Sequence, residues 1–257
     1  MNLIIGTAIG YELKDVKNFV ISLRKFFKDE VILIFNNNIT EETNFFLNQY
    51  NIKLFISKTS SNKAFVDRYE IYLKIITKFK KLSRVMISDV RDVYFQRDPF
   101  KNKLFYRLNF FLEDKFIKDC PTNSKWINRI YGSKELNKLN NKYISCSGIT
   151  LGFKKNMIQY LKSMVFQIKN NKYLTLNPKS KGWDQGNHNY VVNLSKFSYA
   201  KKYSNQMPFV ATLAQSNIKN FIIKKKFLNF RNMQYDIVHQ YDRHISKFKN
   251  ILKNILS

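Results

Sequence analysis

Acidic side chains are scarce: 18 Asp and Glu stand against 45 Lys and Arg in 257 residues, a formal net charge of +27. Such a surface attracts polyanions, whether nucleic acid, anionic lipid headgroups or an acidic polymer. Lys, Asn, Ile, Phe and Tyr share AT-rich codons, which accounts for part of the lysine excess but not for the shortage of acid. Glycine (7) and proline (4) are also few, which argues against flexible linkers and against a sandwich full of tight turns. The two cysteines, Cys120 and Cys146, have no metal-type spacing and point to a reduced, cytoplasmic setting. No stretch approaches the ~20 apolar residues of a membrane span. The apolar run in MNLIIGTAIG is too short for a signal peptide and lacks a basic segment before it. What is present is 44% hydrophobic and 16% aromatic residues, enough to fill the core of one large α/β domain.

Short continuous apolar runs alternate with helical periodicity through the first hundred residues. Asn2–Gly6, Val31–Phe35, Ile52–Ile56 and Arg84–Ser88 read as buried strands. Leu13–Phe27, Thr40–Tyr50 and Ala64–Leu82 read as helices, the second opened by a capping pattern at Thr40. Strands buried on both faces and joined by helices imply a mostly parallel sheet with helices on its faces, a Rossmann-like α/β fold. The second half is less regular. Leu108–Leu112, Tyr143–Phe153, Phe209–Leu213 and Tyr235–Val238 are candidate strands, and Met157–Ile168 and Asp184–Leu194 candidate helices. Ile245–Leu256 is expected to form a basic helix, either packed on the body or lying at a membrane interface.

The acid that exists is not spread evenly. MISDVRDVYFQRDPF, residues 86–100, holds Asp89, Asp92 and Asp98 directly after an apolar strand. Ligands of such sheets sit at the carboxyl ends of strands, and carboxylates there hold hard divalent cations such as Mg2+ or Mn2+ through oxygen. Asp92 is the leading ligand and Asp89 its candidate partner. Asp98 precedes proline and reads as a turn residue. Arg91 is expected to neutralise the aspartates and Arg97 to be structural. His239, at the end of a late strand, is the candidate third ligand, ahead of His188 and His244. Small residues in Ser147–Phe153 (SGITLGF) fit either close approach of substrate or tight strand packing. Gly6–Tyr11 (GTAIGY) ends the first strand without the dinucleotide fingerprint.

Taken in order, these segments resemble nucleotide-sugar glycosyltransferases of the GT-A fold over about residues 1–245. The elements are a strand running into paired aspartates and "VYFQRDPF", then "SGITLGF", "DQG-x-x-N" and "VHQYDRH". Alignment back from Asp98-Pro99 puts Asp92 on the second aspartate of the family's Asp-x-Asp element. Val90 stands at the first, with Asp89 one residue away. The resemblance implies one GT-A-like domain over 1–257, with a nucleotide-binding half (about 1–107), an acceptor half (108–245) and a basic C-terminal helix (246–257). It implies Mn2+ or Mg2+ on Asp92, His239 and Asp89, and donor contacts from Gly6, Thr7, Tyr11, Arg68, Asp89 and Asp92. Asp184 and Gln185 match the "DQD" segment of glycogenin-like enzymes beside the donor sugar, with Gly186 as the departure. The expected activity is transfer of a sugar from a nucleoside-diphosphate sugar to a glycan or lipid-linked acceptor. It is set in the cytoplasm, with peripheral contact to the anionic inner face of the membrane. A basic nucleic-acid-binding protein is the competing class, but no helix-turn-helix, zinc or RRM signature supports it. A metal-dependent phosphohydrolase or nuclease would keep the aspartates but normally needs more carboxylate ligands.

Overall fold

The computed structural model of the chain describes residues 1–101, 107–176, 182–194, 197 and 199–256. Residues 102–106, beside the expected division between the two halves, and Ser257, the last residue of the expected tail helix, lie outside them. The first half alternates as expected: β1 (Asn2–Thr7), α1 (Leu13–Phe26), β2 (Glu30–Phe35), α2 (Glu41–Gln49), β3 (Lys53–Ile56), α3 (Ala64–Lys78) and β4 (Arg84–Ser88). Thr40 caps α2 by accepting from the Thr43 N–H, the polar partner that a helix start requires. α3 stops four residues earlier than its periodicity predicts, at Lys78. Phe79 and Leu82 pack into the same core from the turn that leads to β4, so their apolar spacing serves the core and not a further helical turn.

The second half adds β5 (Val93–Phe95), β6 (Leu108–Phe116), α4 (Pro121–Tyr131), α5 (Ser133–Leu139), β7 (Tyr143–Phe153), α6 (Lys154–Asn170), α7 (Lys172–Leu176) and α8 (Trp183–Leu194). After these come β8 (Lys201–Tyr203), β9 (Val210–Thr212), β10 (Phe221–Ile223), β11 (Phe227–Asn229), β12 (Ile237–His239) and α9 (Ile245–Leu256).

A seven-stranded sheet orders these as β3-β2-β1-β4-β7-β6-β8. Its pairings are parallel except for β7, which runs antiparallel to both β4 and β6. The sheet is therefore mixed but mostly parallel, with helices on both faces. Side chains alternate across it, as the pleat requires. Ile4, Leu33, Met86 and Leu151 face one apolar layer with α1 and α2. Leu3, Ile5, Val85 and Ile87 face the other, with α3, α6 and α8. Both faces are covered, so each central strand reads as an unbroken apolar run.

A smaller sheet, ordered β5-β12-β9, stands beside the main one. β5 follows the Asp89–Asp92 turn, and its first residue, Val93, pairs with His239, the last residue of β12. The late histidine is thereby set beside the early aspartates. α9 closes over this sheet through Phe248, Ile251 and Leu252, which join Tyr94, Phe227 and Tyr241 in one cluster. Among the described residues, no helix is long and apolar enough to cross a membrane.

Candidate metal centre

β1 and β4 lie side by side with Gly6 opposite Ser88, so both deliver their following turns to one edge. Asp89 continues the β4–β7 ladder, its N–H donating to Gly148 O. Asp92 is three residues on, and its carbonyl accepts from the Gln240 N–H at 2.7 Å, tying the turn to the end of β12. Gln240 has a left-handed backbone, φ 65°, uncommon for a residue with a side chain. It turns the chain sharply just after His239.

The three residues meet. His239 Nε2 lies 3.4 Å from Asp89 Oδ2 and 3.6 Å from Asp92 Oδ1, and one ligand atom from each residue falls within 4.8 Å of the others. His239 is 1% exposed, yet Nε2 has no hydrogen-bond partner. A buried ring nitrogen at ion-pair distance from two carboxylates but without a well-formed hydrogen bond to either is poorly satisfied unless another partner lies between them. Gly148 preserves the space. A Cβ there would sit 2.2 Å from His239 Cε1 and 2.6 Å from Asp89 Oδ2. Two carboxylates and an imidazole form an oxygen-rich donor set for Mn2+ or Mg2+. The residues present fit a divalent ion.

The electrostatics of the cluster are coupled. Burial would raise the Asp89 pKa, but the Arg68 guanidinium and the His239 imidazole override it and hold the carboxyl below its ordinary range. Burial would lower the His239 pKa; Cys146, Asp92 and Asp89 outweigh it and raise the pKa well above that of a free imidazole. A cation held by this cluster would compete with a proton for the same nitrogen.

Arg68, on α3, is 6% exposed and bridges two carboxylates: Nη1 lies 2.5 Å from Asp89 Oδ1 and Nη2 2.6 Å from Asp184 Oδ2. Tyr69 and Ser147 hydroxyls also donate to Asp184 Oδ2, at 3.3 and 3.4 Å. Asp184 is one guanidinium away from the metal cluster. Burial pushes its pKa up despite Arg68. Gln185 is committed to the strand beside it: Oε1 accepts from the Ser147 N–H at 2.7 Å and Nε2 donates to Ser145 O at 2.8 Å. With Asn189 one turn later, also bonded to the Ser145 backbone, it satisfies β7 beyond the end of β4.

The other sequence candidates fall around this centre in distinct ways. Tyr11 has its pKa pushed up to about 12 by burial and by the nearby Asp89 and Asp92, which places its hydroxyl in their field. Thr7 Oγ1 donates to the Tyr72 hydroxyl at 2.8 Å. Gly6 is packed: a Cβ would meet Val90 Cγ2 at 2.6 Å. His188 is a core residue, bonded to Ser145 Oγ at 2.9 Å and Tyr160 OH at 2.7 Å. His244 lies in a 3-10 turn, Tyr241–His244, outside the three-residue cluster. Asp98 Oδ1 accepts from the Phe100 N–H and makes the expected turn. Arg91 pairs with Asp242 at 3.2 Å and not with the motif aspartates. Sequence reasoning gave no role to Tyr69, Glu113, Cys146 or Gln240 around the centre. Of these, Gln240 lies inside the VHQYDRH motif and Cys146 next to SGITLGF.

No protein-family model matches the chain, and no curated protein matches it.

Proposed function

We propose that this chain is a nucleotide-sugar glycosyltransferase of the GT-A fold, assisted by Mn2+ or Mg2+. The observation that carries this reading is the convergence of Asp89 and Asp92 on the buried Nε2 of His239, which has no hydrogen-bond partner. His239 lies far in sequence from the two aspartates, and the resemblance to that family implies all three as ligands. The mostly parallel sheet, with the aspartates at the carboxyl end of β4, supports the same reading.

Asp92, His239 and Asp89 would hold the ion, which when bound neutralises charge developing on a leaving diphosphate. Arg68 is spent on two carboxylates, so its part is to hold Asp89 and Asp184 in register. Asp184, kept in place by three donors and with an elevated pKa, is the carboxylate suited to stabilise positive charge on the sugar or to take a proton from the acceptor. Gln185 fixes the strand that carries Ser147 and Gly148. Tyr11, whose hydroxyl feels Asp89 and Asp92, would contact the donor.

The test is a thermal-shift and slow-hydrolysis screen of nucleotide sugars, with and without Mn2+. One or more donors should raise Tm only when Mn2+ is present, and Asp92→Ala should abolish that shift. Silence toward every nucleotide and nucleotide sugar, together with tight, salt-sensitive DNA binding, would overturn the proposal in favour of a nucleic-acid-binding protein.

A further inference from the structure

His239 presents Nε2 to the two aspartates. Its other ring nitrogen, Nδ1, lies 3.5 Å from the sulfur of Cys146 on β7. A histidine that ligates a metal through one nitrogen donates the N–H of the other to an acceptor, which fixes the tautomer and the ring angle. The usual acceptor is a carboxylate or a carbonyl oxygen. Here it is a thiol, 3% exposed.

The sulfur is itself held. Gln240 Nε2 approaches it at 3.8 Å, and the carboxyl of Glu113, on β6, is near enough for Cys146 and Gln240 to pull its pKa down against burial. Gln240 in turn is anchored at its amide oxygen by the Ala214 N–H at 2.9 Å. The chain of contacts behind the ring thus runs from β12 through β7 to β6.

We propose that Cys146 is a positioning residue for the metal centre: its sulfur accepts the Nδ1–H of His239 and holds Nε2 toward Asp89 and Asp92. Gln240 holds the sulfur in turn. The inference rests on the reading of Asp89, Asp92 and His239 as metal ligands.

The experiment titrates the full chain with Mn2+ alone, following free Mn2+ by its paramagnetic resonance signal, for wild type, Cys146→Ala and Cys146→Ser. Cys146→Ala removes the acceptor and should weaken Mn2+ binding by about 10- to 100-fold. Cys146→Ser keeps an acceptor and should stay within about threefold of wild type, a rescue that loss of packing alone would not give. If Cys146→Ala does not fold, Cys146→Val fills the space without an acceptor and should show the same loss. Wild-type affinity in the alanine or valine variant, or equal losses in the alanine and serine variants, would overturn the role of Cys146 while leaving the metal site standing. A wild-type chain that binds no Mn2+ would overturn the metal reading and this inference with it.

Discussion

A Cβ at position 148 would lie closer to His239 and Asp89 than any non-bonded contact allows, so the cluster depends on one absent methyl group. Gly148→Ala should push the imidazole and the carboxylate apart and weaken Mn2+ binding at least tenfold, with a stability loss of about 1–3 kcal/mol from overpacking. Calorimetric titration with Mn2+ beside a urea melt reads both quantities. Unchanged affinity would mean that these three side chains are not the ligands. The same scale explains why Asp89 and Asp184, which share Arg68, depart from ordinary acidity in opposite directions. Asp89 has His239 as a second positive neighbour; Asp184 has one guanidinium and a deeper burial. At this scale the sequence revealed the three clustered residues and hid their supports. Asp92 and Asp89 sit in a visible acidic cluster, and His239 is one of only three histidines. Cys146 meets His239 across 93 positions, and no local pattern encodes that contact.

Among the elements, α9 separates two readings of the same residues. Ile245–Leu256 alternates lysine with apolar residues, a pattern equally suited to a membrane surface and to a packed terminal helix. In the structure Phe248 is fully buried among Tyr94, Phe227 and Tyr241, and Lys247, Lys249 and Lys253 face outward. Phe248→Ala should therefore destabilise the fold by about 3–5 kcal/mol in urea unfolding; a change below about 0.5 kcal/mol would return the helix to the role of a free interfacial tail. The same contrast governs how legible the fold was. β1, β2 and β4 were readable because strands buried on both faces leave continuous apolar runs. In the small sheet β9 and β12 match the expected strands Phe209–Leu213 and Tyr235–Val238, but β5, with three residues, is too short to show a period, and the grouping of the three into a separate sheet follows from their pairing. α4 was missed although Pro121 opens it and Ile127 and Ile130 lie on its buried side, because its mean character is polar. β7 was identified as a strand, but its antiparallel direction follows from its partners and not from its own residues.

For the whole molecule, two buried groups set opposing dependences of stability on pH. His188 sits among Phe110, Tyr160 and Ser145 with its pKa lowered to about 3 by burial, then by Arg68 and Lys202. The unfolded chain takes up that proton near pH 6.5 and the folded chain does not, so stability falls as pH drops from about 6.5 toward 3. Asp89, with its depressed pKa, loses its contribution in the same direction at lower pH, and the +27 charge grows as acid is added, which adds self-repulsion. Glu113 acts oppositely. Burial raises its pKa to about 7 against the pull of His239, so between about pH 4.5 and 7 the folded chain holds a proton that the unfolded chain has lost. Stability from this group falls as pH rises through that window. Asp184, whose pKa burial also raises, adds to the falling slope, so between about pH 4.5 and 6.5 the opposing slopes partly offset and wild type should show a shallow dependence there with a steep acid limb below it. Glu113→Gln removes the Glu113 part of the falling slope. Its stability relative to wild type should climb by up to about 1.4 kcal/mol per pH unit from pH 4.5 to 7, read from urea midpoints at pH 4.5, 5.5, 6.5 and 7.5. A difference that stays constant across those four values would show that Glu113 titrates alike in the folded and unfolded chain.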